Sequence, residues 1–180
     1  MNIAGIDYES IKDGEGVRTV IYVSGCSHNC YNCHNPQTHD VNYGIPFTEE
    51  LQNEIIENIK KRPFLSGITW SGGDPLHENC LDDVLKFTNK IRLSMPEKTI
   101  WLYSGYKYEF IFRGEPSFLS EKGFNNYKRR KIIESVDVLV DGRYIDKQRD
   151  VALAYRGSKN QRVIDVQQSL KNNEIVLYTT

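Results

Sequence analysis

Three cysteines in one short polar loop constrain the fold and the chemistry of this chain more than any other feature of its sequence. Cys26, Cys30 and Cys33 follow the spacing Cys-x3-Cys-x2-Cys, and we call them the cysteine triad. Thiolates this close in sequence converge on one metal centre only where the chain loops around it. A closed structural zinc site uses four protein ligands, whereas a reactive centre keeps one position open. Cysteine thiolates also hold cubane iron–sulfur clusters, so three of them predict a cubane with one iron free for a ligand that is not protein.

A c-type haem is one alternative for the same loop. Cys30, Cys33 and His34 form the Cys-x-x-Cys-His signature of covalent haem attachment. That attachment requires export, and residues 1–7 show neither a basic region nor an apolar one. The haem alternative therefore lacks the cellular context that it needs.

Zinc is a second alternative, with the cysteine triad and either His28 or His34 as its four ligands. A third is that the cysteines are buried free thiols, since cysteine often behaves as a small apolar side chain. The composition of the loop argues against burial, because it also carries the polar residues Asn29, Asn32 and Asn35.

The composition of the whole chain limits the class of protein. A length of 180 residues suits one ordinary domain, so we expect residues 1–180 to form a single domain. The formal net charge of −1 offers no basic field for nucleic acid, and no apolar run is long enough to cross a membrane. Four cysteines, three of them in one loop, do not form a disulfide framework, so a reducing cytoplasm is expected. The fourth, Cys80, is expected to pack or to begin a helix.

Apolar strand-like runs alternate with helical patterns, which predicts an α/β fold with a largely parallel sheet. The predicted strands cover residues 17–24, 67–70, 99–103, 136–140, 162–166 and 174–178. The predicted helices cover residues 49–62, 81–94 and 126–135, and Thr48 is placed to cap the first of them.

Each unusual motif follows directly after a predicted strand. The cysteine triad follows strand 17–24, and Gly72, Gly73 and Asp74 follow strand 67–70. Ser104 comes after strand 99–103, and Asp141 comes after strand 136–140. Because the carboxyl ends of parallel strands meet at one edge of a sheet, we expect these loops to build one site. Ordinary turns are the alternative at Gly72, Ser104 and Asp141.

The cysteine spacing after an apolar strand resembles that of the radical S-adenosylmethionine enzymes. In that family three cysteines hold a 4Fe-4S cluster whose fourth iron binds S-adenosyl-L-methionine. One electron from the reduced cluster cleaves the cofactor, and the 5′-deoxyadenosyl radical abstracts a hydrogen atom. The resemblance implies that Cys26, Cys30 and Cys33 are the metal ligands and the catalytic centre.

The same resemblance implies the residues that hold the cofactor. Gly72, Gly73 and Asp74 correspond to the family's Gly-Gly-Glu loop, which holds the methionyl amino group, although Asp stands here in place of the usual Glu. Ser104 corresponds to ribose or carboxylate contacts. Asp141, from its place after a strand, is expected either to contact the cofactor or to form an Asx turn with Gly142.

Adenine recognition departs from the family pattern. Many members have an aromatic residue just before the third cysteine, and this chain has Asn32 there. We expect the backbone around Asn32, Cys33 and His34 to hold adenine instead, with the imidazole of His34 able to stack on it.

A set of motifs in fixed order narrows the family further. In order, the motifs begin at Asp13, Gly25, Ser71, Trp101, Val138 and Arg156, and they extend the match from about residue 7 to residue 162. Together they resemble the activating proteins of anaerobic ribonucleoside-triphosphate reductase, which install a glycyl radical on the large subunit of that enzyme. Two departures are Tyr155, where Trp is common, and the segment 107–135, which is longer than expected.

The resemblance implies an incomplete (β/α) barrel, because a full barrel needs about 250 residues. Its open side would admit a protein loop, and the polar segment 156–162 would dock that loop or close over the cofactor. The implied partners are the large subunit of the reductase and an electron donor such as flavodoxin, and the resemblance is compatible with a homodimer. The alternatives are an activase of another glycyl radical enzyme and a zinc-stabilised binding module.

Overall fold

A mixed sheet of eight strands organises the part of the chain that the computed structural model describes, namely residues 1–113, 117–118 and 120–179. The strands are β1 (Asn2–Ser10), β2 (Arg18–Val23), β3 (Ile45–Pro46), β4 (Gly67–Gly72), β5 (Thr99–Ser104), β6 (Val138–Asp141), β7 (Arg162–Asp165) and β8 (Val176–Leu177). The α-helices are α1 (Glu49–Lys60), α2 (Leu81–Ser94), α3 (Tyr108–Arg113), α4 (Glu121–Glu134) and α5 (Val166–Asn172). Short 3-10 turns cover Pro36–His39 and Asp146–Gln148.

The centre of the sheet is parallel and its two sides are antiparallel. The strand order is β3-β1-β2-β4-β5-β6-β7-β8, in which β2, β4, β5 and β6 run parallel. β1 and β3 on one side, and β7 and β8 on the other, run antiparallel to their neighbours. The α/β prediction is confirmed as a mixed α/β fold, but a largely parallel sheet describes only the centre. β7 returns antiparallel to β6 because no α-helix lies between them to carry the chain back across the sheet.

Local signals explain where the helices begin. α2 has the predicted bounds, and α1 begins after Thr48, whose hydroxyl accepts from the Leu51 N–H at 3.3 Å. α4 begins five residues before its predicted start, because Ser120 caps it by accepting from the Gly123 N–H at 3.1 Å. The sequence does not predict β1, β3 or α3. The sequence of β1 lacks a strong strand pattern, because Gly5 interrupts it. In the structure β1 pairs with β2 through two register shifts.

The two faces of the sheet carry different apolar clusters. The larger cluster lies between the sheet and the helices, and its strand residues include Ile21, Val23, Ile68, Trp70, Ile100, Leu102, Leu139 and Ile164. The smaller cluster on the opposite face comprises Trp101, Val138, Val140 and Val163, with Tyr103, Tyr155 and Tyr178 packed against it. This division follows from the alternation of side chains along each strand. Within the described residues, the helices are all too short or too polar to cross a membrane.

Candidate metal centre and cofactor site

The carboxyl ends of the four parallel strands open into one cavity of about 540 Å³. We call this end of the sheet the carboxyl rim and the opening the cysteine cavity. The predicted site residues that line it are Cys26, Cys30, Asn32, Cys33, His34, Gly72, Gly73 and Ser104. The structure therefore brings the loops after β2, β4 and β5 together around a single opening.

The backbone of the cysteine loop is held against the neighbouring loop by main-chain hydrogen bonds. The Gly25 N–H donates to the Thr38 carbonyl at 2.8 Å, and the Gly25 carbonyl accepts from the Asp74 N–H at 2.8 Å. Asn29 and Asn32 have φ angles of 48° and 54°, in the left-handed region that asparagine tolerates better than most residues. These turns curl the loop, which explains why the three cysteines face one cavity.

The thiols of the cysteine loop need a positive centre to ionise. Burial raises the pKa of Cys26 to about 11, although the backbone N–H of His28 opposes this shift. Burial also raises the pKa of Cys30, where the backbone N–H of Tyr144 acts in the opposite direction. A bound metal deprotonates a coordinating thiol outright. Backbone N–H groups directed at sulfur also tune iron–sulfur clusters, so this donor set fits a 4Fe-4S cluster.

Two further observations concern metal binding. Among the described residues, no three His, Cys, Asp or Glu side chains are grouped closely enough to hold a single metal ion. In a cubane cluster each thiolate binds a different iron, so the thiolates need to surround one cavity and do not need to meet at one ion. The cysteine triad meets that requirement. Cys80 lies apart in the larger apolar cluster, where its Sγ donates to the Ser24 carbonyl at 3.3 Å.

Asp74 is a buried hub that connects three loops of the carboxyl rim. The residue is 1% exposed. Its carboxylate accepts from Ser104 Oγ at 2.9 Å and from the Gly105 N–H at 3.0 Å. The same carboxylate lies 2.5 Å from His28 Nε2, which belongs to the cysteine loop. The sequence predicts that Asp74 faces the cofactor, but the structure directs it into these protein contacts and it does not line the cysteine cavity.

His28 links the Asp74 hub to a fourth loop. Its Nδ1 accepts from Arg143 Nε at 3.1 Å, and Arg143 follows β6. One tautomer of the neutral imidazole satisfies both contacts, with Nε2–H donating to Asp74 and Nδ1 accepting from Arg143. The sequence offered His28 only as a zinc ligand, whereas the structure makes it a connection between the cysteine loop and the rim.

The glycines of the rim leave room for the cysteine loop. A Cβ at Gly73 would lie 2.6 Å from the Gly25 carbonyl oxygen, and one at Gly105 would lie 2.2 Å from Cδ2 of His28. Gly72 has a φ of +96°, and its Cβ would lie 2.7 Å from the Val23 nitrogen. At the Gly-Gly pair, the absence of side chains therefore lets one part of the protein backbone approach another closely.

Asp141 also makes protein contacts and does not line the cysteine cavity. Its carboxylate accepts from the Tyr108 N–H at 2.8 Å and pairs with Arg162. Arg162 in turn makes a two-pronged pair with Glu109, with both N–O distances at 2.8 Å, and this pair lowers the pKa of Glu109 to about 2. This ion-pair group fastens the end of β6 to β7 and to α3.

The cavity also holds basic residues, and most of them are not singled out by the sequence. Arg143, Arg149 and His39 line it, as does Arg156 from the polar segment 156–162. His39 Nε2 and Arg156 Nε are buried without a hydrogen-bond partner among the described residues. The only sequence signal for Arg143 is its position just after a strand. The segment 156–162 is held to the loop after β6, since Gln161 Nε2 donates to the Gly142 carbonyl at 3.0 Å.

Comparisons with known proteins agree with this arrangement. Residues 12–164 match the family model of the 4Fe-4S single cluster domain. The anaerobic ribonucleoside-triphosphate reductase-activating protein of Escherichia coli (strain K12) is 37% identical over 154 residues, covering 85% of this chain and 91% of that protein. The protein of the same name from Haemophilus influenzae is 34% identical over 150 residues, covering 83% and 88%. The one from Enterobacteria phage T4 is 32% identical over 151 residues, covering 84% and 85%.

The thiol triad at the carboxyl rim is consistent with the matching 4Fe-4S single cluster domain. The similarity to these activating proteins extends over most of the chain. The chain belongs to the family of anaerobic ribonucleoside-triphosphate reductase-activating proteins.

Proposed function

We propose that this protein activates anaerobic ribonucleoside-triphosphate reductase by generating a glycyl radical on its large subunit. The reaction would proceed by reductive cleavage of S-adenosylmethionine at a 4Fe-4S cluster. The observation that carries the proposal is the placement of Cys26, Cys30 and Cys33 around one cavity at the carboxyl rim. Family membership supports the choice of the reductase as the target.

The cysteine triad would hold the cluster and leave one iron for S-adenosylmethionine. When bound, the cluster and cofactor supply a carbon-centred radical that can remove a hydrogen atom from a glycine. The backbone at Gly72 and Gly73 and the hydroxyl of Ser104 line the same cavity and would bind the polar parts of the cofactor. Asn32 and His34 lie on its exposed side, where their backbone and the imidazole would contact adenine.

Asp74 and Asp141 would act through other residues. Asp74 would fix the cysteine loop by holding His28 and would orient Ser104, whose hydroxyl donates to both of its oxygens at 2.9 and 3.1 Å. Asp141 would fix the β6 loop through Arg162. The carboxylates of Asp74 and Asp141 would be positioning groups, and Arg143, Arg149 and Arg156 would supply positive charge at the cavity.

An opening in the barrel would admit the protein substrate. The four parallel strands would form the wall of an incomplete (β/α) barrel in one domain. The cofactor would lie in the cavity at their carboxyl ends, and the protein loop would enter from the open side. An electron donor such as flavodoxin would reduce the cluster in the cytoplasm, and the protein would be able to form a homodimer.

Anaerobic reconstitution tests this chemistry. Protein loaded with iron and sulfide should be brown, and with dithionite it should cleave S-adenosylmethionine to methionine and 5′-deoxyadenosine. The matched control is the Cys30→Ala variant, which removes one thiol of the triad. A colourless protein that binds zinc and cleaves no cofactor would instead support the binding-module alternative.

A further inference from the structure

A second cavity of about 790 Å³ lies between α3 and the start of α4, beside the carboxyl rim. Lys107, Phe110, Arg113, Lys122 and Arg129 line it, and we call this surface the α3–α4 face. It falls within the segment 107–135, whose length the sequence resemblance does not explain. The chemistry proposed for the cysteine cavity uses none of these five residues.

Among the described residues, the α3–α4 face carries more positive charge than its acidic groups neutralise. Lys107, Arg113 and Lys122 are exposed, and none of them forms a salt bridge with a described residue. Glu109 also lines the cavity, but it is already paired with Arg162. The face therefore complements an anionic partner.

Arg129 strengthens this conclusion because its guanidinium is buried. The residue is 8% exposed, and its Nε donates to the Leu76 carbonyl at 2.9 Å. It has no carboxylate partner among the described residues, although it lines the cavity. Buried charges are usually paired, so a carboxylate that entered the cavity would supply a partner that the described residues do not.

Exposed aromatic rings surround the same face. Phe110 is 53% exposed, Phe118 is 71% exposed and Phe124 is 40% exposed. The Phe118 ring lies 6.0 Å from that of Phe124 and 5.0 Å from that of Tyr127. Clusters of exposed apolar side chains mark protein interaction sites, and aromatic residues and arginine are enriched in protein interfaces. A small anion would occupy the cavity and leave these rings in water, whereas a protein segment would cover both.

The α3–α4 face is connected to the cysteine loop by direct ring contacts. The Phe110 ring stacks on Tyr106 at 5.4 Å, and Tyr106 meets the imidazole of His28 edge-on at 4.7 Å. The guanidinium of Arg129 lies over Tyr106 at 4.8 Å. A partner seated on this face would therefore lie next to the mouth of the cysteine cavity.

We propose that the α3–α4 face docks the reductase through an acidic segment that carries at least one apolar anchor. The carboxylates of that segment pair with Lys107, Arg113, Lys122 and Arg129, and the anchor packs on the exposed phenylalanines. Docking there presents the target glycine loop to the cysteine cavity. This inference rests on the proposed function, because it takes the reductase as the partner.

A charge-reversal variant tests the docking surface. The triple variant Lys107→Glu, Arg113→Glu and Lys122→Glu changes exposed residues only. The control, Lys61→Glu, Lys86→Glu and Lys171→Glu, makes the same change in net charge at exposed positions that line neither cavity. Affinity for the purified reductase is measured anaerobically at low and high salt. Iron content and reductive cleavage of S-adenosylmethionine without reductase are measured in parallel.

The triple variant should bind the reductase at least about tenfold more weakly at low salt, while its iron content and cofactor cleavage stay at wild-type levels. The control should remain within about twofold of wild type. If the triple variant binds the reductase as tightly as the wild type does, the proposed docking surface is wrong but the proposed function is not affected. Binding of a nucleoside triphosphate is measured as well. If the triple variant loses that binding and keeps reductase binding, the cavity is a nucleotide site and the docking surface is wrong. Wild-type protein that neither binds the reductase nor forms a radical on it would overturn the proposed function together with this surface.

Discussion

The helix-covered face of the sheet and its carboxyl rim use the same strands in different ways. On the helix-covered face, β4 contributes Ile68 and Trp70 to a continuous apolar cluster. At the rim, the same strand ends in Gly72, beside Gly73 and the buried carboxylate of Asp74. Residues on the face interact mainly through contact area, whereas residues at the rim interact through specific hydrogen bonds and close backbone approach. Changes on the face should therefore affect stability, and changes at the rim should affect the site.

Three of the four cysteines lie at the rim and one lies on the helix-covered face, and replacing them should give the largest difference between the two regions. Replacing Cys26, Cys30 or Cys33 with Ala should reduce bound iron from about four atoms per chain to almost none, because each removes a cluster ligand. Cys80→Ala should keep full loading, since its thiol lies in the apolar cluster. Iron and sulfide analysis after reconstitution measures the difference. Full loading of a triad variant, or its loss in Cys80→Ala, would contradict the division.

The next largest difference should be in the stability that is lost when an aromatic residue of each region is replaced. Phe87 is fully buried on the helix-covered face, with its ring 5.7 Å from that of Trp70. Phe87→Ala should lower the free energy of unfolding by about 3–5 kcal/mol. Tyr31 lies in the cysteine loop and is exposed, so Tyr31→Ala should change it by less than about 0.5 kcal/mol. Urea unfolding of the metal-free proteins tests both values, and equal losses would contradict the comparison.

Two glycines give a smaller test of close approach at the rim. Gly105→Ala places a Cβ 2.2 Å from His28, so it should cost about 1–3 kcal/mol and weaken S-adenosylmethionine binding. Gly5→Ala meets nothing within 4 Å and should have little effect. In a His28→Ala background, where the clashing ring is absent, Gly105→Ala should lower stability less than it does in the wild-type protein. A Gly105→Ala protein as stable as the Gly5→Ala protein would show that the His28 ring moves aside freely.

The smallest expected effect comes from the ion pair of Glu109 and Arg162. The pKa of Glu109 is about 2 in the folded state, below its value of about 4.3 in an unfolded chain. Its contribution to stability is therefore present above about pH 4.3 and is lost as the pH falls toward 2. Because the pair is partly exposed, that contribution should be at most about 1 kcal/mol.

Glu109→Gln should flatten the dependence of the urea midpoint on pH between about 4.3 and 2. The measurement uses metal-free protein, since acid destroys iron–sulfur clusters. An unchanged slope in the variant would show that other carboxyls dominate this range.

The sequence predicts the helix-covered face well because its signals are local. The apolar spacing of α2 and the cap at Thr48 depend on neighbouring residues, and both are confirmed. β1 is missed because its place is set by pairing with β2, not by its own pattern. The antiparallel direction of β7 is missed as well, because it depends on which elements separate β7 from β6 and not on the pattern of β7 itself.

At the rim, the sequence predicts which loops meet but not where each side chain points. Gly73 and Ser104 follow strands and line the cavity as expected. Asp74 and Asp141 also follow strands, yet their carboxylates turn into the protein because His28 and Arg162 reach them from distant parts of the chain. Arg143 was overlooked because its role depends on the position of His28, 115 residues away in sequence.

Formation of the glycyl radical tests the central claim most directly. Reduced, reconstituted protein is mixed anaerobically with S-adenosylmethionine and the reductase, and the sample is examined by electron paramagnetic resonance. The account predicts an oxygen-sensitive organic radical signal that is lost when the target glycine of the reductase is replaced by alanine, while cofactor cleavage continues. Cofactor cleavage without any radical on the reductase, or a radical that persists without the target glycine, would contradict it.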